Sequence, residues 1–188
     1  MPYLEQAKNF KGLAEVFLRD PDRYAPLLQF IEAVMVGPSS FSNADREMIA
    51  THVSKLNGCD FCLGAHRWTL AALDIDLHKI DAIEAGPDAE AIDERLRPIL
   101  RFATKLTKSP EWVGQRDIDT LRAAGWSDQT IEDAINVISL FNYVNRLVDA
   151  FGIKGDEATF KRVGAAIAEG GYAPLIQTAL SKAGKKAA

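Results

Sequence analysis

The chain has 188 residues, 47% of them hydrophobic and 26% charged, with a net charge of −4, a balance that fits one folded domain and excludes a disordered chain. Lys and Arg are dispersed apart from the closing Lys182 to Lys186 stretch, which speaks against a nucleic-acid partner, and no apolar run reaches bilayer-spanning length, so no membrane partner is expected. The amino terminus, Met1-Pro2-Tyr3-Leu4-Glu5-Gln6, lacks the basic-then-apolar layout of a secretory signal, and a cytoplasmic location is the expectation.

Apolar residues recur at three- and four-residue spacing nearly throughout, and strict alternation is absent, which predicts an all-α, single-domain bundle over 1–188. In chain order, helices are predicted over residues 4–18, 24–36, 43–56, 60–73, 77–85, 90–107, 114–124, 128–151, 156–169 and 173–182. Gly37, Gly58, Gly86, Gly125 and Gly152 stand where helices should stop, and Ser42 with Asp45 and Ser127 with Thr130-Ile131-Glu132 read as N-terminal caps. Pro98 either starts a fresh helix or kinks the sixth one. The small, basic segment 181–188 is expected to fray.

Two stretches, Phe41 to Cys59 and Trp126 to Val144, align at an offset of 85, with a cap, a Glu and an Asn coinciding. Val144 and Leu147 then stand where Cys59 and Cys62 do. The region 126–151 is therefore either a degenerate repeat without the chemistry of the motif core at 40–75, or a chance match between amphipathic helices.

The informative segment runs from Glu47 to His66. Asn57-Gly58 should end one helix, and the next should begin around Cys59, setting both cysteines in or beside a first turn. Unpaired N–H groups and the positive end of the helix dipole favour an anion there, so a lowered thiol pKa is expected. Cys59, Cys62 and His66 fall on one stripe, Cys62 and His66 one turn or roughly 6 Å apart along the axis. Residues three apart in a helix have Cα separations of about 5 Å, within disulfide reach. His66 is a proton acceptor for Cys62, and Glu47, on the preceding helix, can orient it.

Blander readings stand beside these. The cysteines also read as two buried small hydrophobes, or, with His66 and Glu47, as a tetrahedral zinc shell. His52 and His78 read as structural or exposed. Asn142, Asn145, Arg146 and Asp149 form a polar ladder in an otherwise apolar helix, with Arg146 and Asp149 pairing within it or the group fixing the helix against a neighbour. Phe61, Trp68, Phe141 and Tyr143 read as core, with Phe61 governing access to the cysteines.

Glu47, eleven intervening residues, Cys59-x-x-Cys62, three more and His66 resemble the active-site motif of the alkylhydroperoxidase D-like proteins, within the carboxymuconolactone decarboxylase superfamily. Leu121 to Ser127 and Phe141 to Asp149 resemble the peroxidase-related branch. The resemblance implies an all-helical thiol peroxidase, needing no cofactor or metal, in which Glu47 through water tunes His66 and His66 draws the thiol proton. It also implies that Cys62 attacks a hydroperoxide to give a sulfenic acid and that Cys59 resolves it to a disulfide. A dithiol reductant such as a lipoylated protein, and a homo-oligomer (dimer, trimer or hexamer), are implied as partners. Some relatives carry a second His between the cysteines where this chain has Phe61, which removes one member of the relay. Lactone decarboxylases of the superfamily lack the cysteine pair. The alternative is a redox-sensing or metal-holding module on the same scaffold without turnover.

Overall fold

The structure is a computed structural model that describes residues 2–186. Among these residues it contains ten α-helices and no strand: α1 (Leu13–Arg19), α2 (Pro21–Met35), α3 (Asn43–Asn57), α4 (Asp60–Ala72), α5 (Leu77–Ala85), α6 (Arg97–Lys108), α7 (Gln115–Ala123), α8 (Asp128–Phe151), α9 (Glu157–Gly170) and α10 (Ala173–Lys186). The all-α reading holds, and the departures from it are local. The first predicted helix breaks into a 3₁₀ turn, Glu5–Ala7, and α1, because Gly12 is fully extended immediately before Leu13. α2 starts three residues earlier than expected, at Pro21, whose fixed φ and missing N–H suit a first helical position. Pro98 likewise opens α6 near its first turn, so the predicted 90–107 helix shrinks to Arg97–Lys108 and residues 86–96 form turns. At the other end α10 runs to Lys186, through most of the segment expected to fray; Ala187 and Ala188 lie outside the described residues.

α3 is the central helix, buried from Arg46 through Ser54. Its start is fixed by a capping box in which Ser42 Oγ accepts from Asp45 N–H (3.1 Å) while the Asp45 carboxylate accepts from Ser42 N–H (2.9 Å). The buried Arg46 then donates to the carbonyls of Val34 (3.3 Å) and Gly37 (2.7 Å) and to Asn43 Oδ1 (2.7 Å), tying the end of α2 to the start of α3. At the other end Gly58 takes the left-handed conformation (φ 71°), which turns the chain directly into α4 with Cys59 as its N-cap.

α3 packs on α4, α5, α6 and α8. Just before α3 and α8 begin, Phe41 packs on Trp126 with ring centroids 4.8 Å apart, and between the helices Asn57 Nδ2 donates to Asn142 Oδ1 at 3.2 Å; both pairs are separated by the same 85 positions. On its other side α4 lies against α9 closely enough that a Cβ at Gly164 would fall 2.4 Å from the carbonyl carbon of Trp68, and one at Gly64 would fall 2.5 Å from the Phe160 ring. Absent side chains at these two glycines let the helices touch almost backbone to backbone. No helix of the described chain is long and apolar enough to cross a membrane.

Candidate active site

Glu47 sits one turn into α3 and His66 two turns into α4, and the packing of the two helices brings His66 Nδ1 to 2.6 Å from Glu47 Oε2. Both side chains are buried, so this contact is shielded from solvent and worth more than a surface pair. The link is direct, where the resemblance implied water. The His66 ring meets the ring of Phe141 on α8 edge to face, with centroids 4.4 Å apart, which fixes its tilt. With Nδ1 committed to Glu47, Nε2 is the nitrogen left for chemistry, and no residue of the described chain hydrogen-bonds it.

The two cysteines are free and buried, yet unequal. Cys62, in the first turn of α4, lines a cavity of about 420 Å³ together with His66, Phe61, Ala65, Phe141 and Val144; Cys59 does not line it. The remaining wall comes from α1, α2, α9 and α10, through residues such as Phe17, Ile31, Ile167 and Leu175. It is almost wholly apolar, with Glu15 and Arg162 as its carboxylate and guanidinium members. Such a volume suits a small organic ligand. Phe61 and Phe141 are buried in the core as read from sequence and also form part of the cavity wall, where Phe61 makes an edge contact with Phe160 at 5.8 Å. Trp68 instead lies under Lys161, 4.4 Å from its ring, and Tyr143 is half exposed.

The expected lowering of thiol pKa does not hold for Cys59. Its hydrogen bond with the Cys62 thiol, and then burial, push it well above its ordinary value, outweighing the helix N-terminus. No hydrogen bond joins His66 to either thiol among the described residues.

The polar ladder on α8 turns out to brace the turn that carries Cys59. Asn145, fully buried, donates to Ser54 Oγ (3.1 Å) and accepts from Asn57 Nδ2 (2.9 Å), while Asn142 donates to Thr107 Oγ1 (3.0 Å). Arg146 bonds back to the Asn142 carbonyl and side chain, so the predicted Arg146–Asp149 pair is replaced. His52 is buried and structural, with Nε2 2.8 Å from Thr104 Oγ1, and His78 is exposed. No group of three or more His, Cys, Asp or Glu side chains is arranged to hold a metal ion among the described residues.

Sequence reasoning missed Tyr172. Gly171 ends α9 in the left-handed region (φ 60°), where a side chain would be strained and would fall 2.8 Å from Glu32 Oε2. The next residue's N–H donates to that same carboxylate oxygen at 2.6 Å. This turns the Tyr172 ring into the cavity wall, and also into the wall of a small recess of about 20 Å³ that includes Glu47, Asn43 and Thr69.

Residues 21–105, which contain Glu47, Cys59, Cys62 and His66, match the carboxymuconolactone decarboxylase family. An uncharacterized peroxidase-related protein from Silicibacter sp. TM1040 superposes with a TM-score of 0.74 at 28% identity, covering 79% of this chain and 77% of its own. The chain thus combines a segment similar to the carboxymuconolactone decarboxylase family with the fold of alkylhydroperoxidase D-like structures. A second such structure, the alkylhydroperoxidase D core of a peroxidase-related protein from Ralstonia eutropha JMP134, gives a TM-score of 0.72 at 25% identity over 80% and 78% of the two chains. The debrominase Bmp8 shares the fold at 17% identity, with a TM-score of 0.62 over 95% of this chain and 96% of its own. No curated protein matches the sequence. An enzyme, the debrominase, therefore occurs within this alkylhydroperoxidase D-like fold, and the two similar structures named first are both uncharacterized peroxidase-related proteins.

Proposed function

We propose that this protein reduces hydroperoxides through Cys59 and Cys62, with His66 and Glu47 as the proton relay. The observation that carries this reading is the inequality of the two sulfurs. Cys62 meets the cavity beside His66, and Cys59 sits behind it, sealed from the cavity, protonated and braced by the Asn57–Asn145 network. That is the arrangement a nucleophile and a resolving thiol require. His66 removes the Cys62 proton through Nε2 while Glu47 holds the opposite nitrogen. The Cys62 thiolate attacks the terminal peroxide oxygen, the O–O bond breaks, and a sulfenic acid and an alcohol form. Attack by the Cys59 thiol on the sulfenic sulfur then expels water and closes a disulfide. A dithiol, of the kind a lipoyl arm presents, restores the pair. We propose a cytoplasmic location as well, and, from the family resemblance, a homo-oligomer.

The test is to mix reduced protein with one equivalent of an organic hydroperoxide and to follow thiols and peroxide, first alone and then with excess dithiol. Repeated turnover is expected. Cys62→Ser should consume no peroxide, and Cys59→Ser should consume one equivalent and stop at a sulfenic acid that a dimedone probe traps. A single oxidation without turnover would instead support a sensor, and identical behaviour of the two variants would overturn the division of roles.

A further inference from the structure

We infer that Tyr172 is a further catalytic residue, whose hydroxyl donates a hydrogen bond to the oxygen that leaves when the O–O bond breaks at Cys62. The inference rests on the hydroperoxide reading above and adds to it the group that receives the developing negative charge.

Three observations converge on this side chain. Tyr172 lines the same apolar cavity as Cys62 and His66, and it also borders the recess that contains Glu47, so it is shared by the spaces that hold the thiol and the relay. Its backbone is fixed by the left-handed Gly171 and by the N–H bond to Glu32, which anchors the start of the side chain without occupying its hydroxyl. That hydroxyl makes no hydrogen bond within the described chain, and it is not a sealed atom either: Arg46 Nε is the one buried, unpartnered side-chain nitrogen or oxygen found among the described residues. A partly buried phenol on the cavity wall that is neither paired nor closed off is free to donate to a ligand in that cavity.

The chemistry requires such a donor. As Cys62 sulfur bonds to the terminal oxygen of a peroxide R–O–O–H, the O–O bond pair passes to the inner oxygen as R–O⁻. Sulfur is oxidised by two electrons and the peroxide is reduced. The proton that His66 took from the Cys62 thiol ends on this alkoxide, giving R–OH and Cys62–S–OH. Until it arrives, the charge lies in an apolar cavity, where an unaided oxyanion is costly. Tyr172 donates to that oxygen and keeps its own proton throughout. Burial, and then the negative charge of Glu47 and Cys62 nearby, raise its pKa well above the ordinary phenol value, so it remains a donor across the whole working pH range.

The test compares wild type with Tyr172→Phe, as full-length reduced protein, by stopped-flow reaction with two oxidants. The leaving group is strongly basic tert-butoxide for tert-butyl hydroperoxide and weakly basic acetate for peracetic acid. Loss of the donor should slow the first reaction by roughly 10- to 100-fold and the second by about threefold or less. Alkylation of Cys62 by iodoacetamide, which expels iodide, is the control for folding and thiol reactivity and should not change. Equal losses with both oxidants, no loss with either, or a parallel loss in alkylation would overturn the role of Tyr172 while leaving the hydroperoxide reading intact. Wild type inert to both oxidants would overturn both.

Discussion

Two sulfurs three residues apart differ because one is the N-cap of α4 and the other lies in its first turn, turned toward the cavity. Limited iodoacetamide at pH 8 should therefore label Cys62 and spare Cys59, as read by peptide mapping; equal labelling would contradict the geometry. The raised Cys59 pKa also has a sign for stability. The folded thiol stays protonated while the unfolded one ionises near 9.0, so this contribution is complete below that pH and declines above it. Glu47→Gln should lower the rate of peroxide reduction by roughly 100-fold, because the carboxylate that orients His66 is lost from a buried site. Glu47, Cys59, Cys62 and His66 were legible in the sequence because short helical spacings bring three of them to one stripe, and one cap-defined helix supplies the fourth. Tyr172 was not legible: it reaches the site through a glycine turn between two late helices, and no local pattern encodes that approach. The direction of the Cys59 shift was also out of reach, since it depends on a neighbouring thiol and on depth.

Among the helices, the α4–α9 crossing is the tightest. Gly164→Ala would drive a methyl group into the Trp68 backbone, which cannot yield as a side-chain tip can, and a loss of about 1–3 kcal/mol is expected, or several degrees in thermal midpoint. Gly64→Ala meets a ring that can rotate, and should cost less. His52 connects α3 to α5 and α6 through Ile83 and Thr104. Burial lowers its pKa, so the neutral ring is the folded form: its contribution is complete above about 6.5 and is lost as pH falls below that value, where the unfolded chain takes up a proton first. The thermal midpoint of wild type should fall more steeply between pH 7 and 5 than that of His52→Gln. The existence of each helix was readable from periodicity and caps. The starts of α1, α2 and α6 were not, because apolar spacing persists across Gly12 and across residues 90–96 although the backbone there is not helical.

At the scale of the whole molecule, six helices (α1, α2, α4, α8, α9 and α10) enclose one apolar cavity, and no single segment announces it. Its volume sets a limit on the substrate. Ala65→Phe, which fills space one turn from Cys62, should slow cumene hydroperoxide by roughly tenfold or more while changing the hydrogen peroxide rate by about threefold at most; equal effects would show that the cavity does not hold the organic part. The all-α class could be read from the sequence because every segment carries the same period, whereas a void made by the far ends of the chain follows only from packing. The sealed position of Cys59 has a last consequence. A disulfide has two ends, and here one alone can be approached, so any incoming thiol must join the sulfur of Cys62 and eject that of Cys59, which accepts negative charge reluctantly. Reduction in the proposed cycle thus has a fixed polarity: the mixed disulfide always forms at the cavity-side sulfur, and the inner one is always the leaving group.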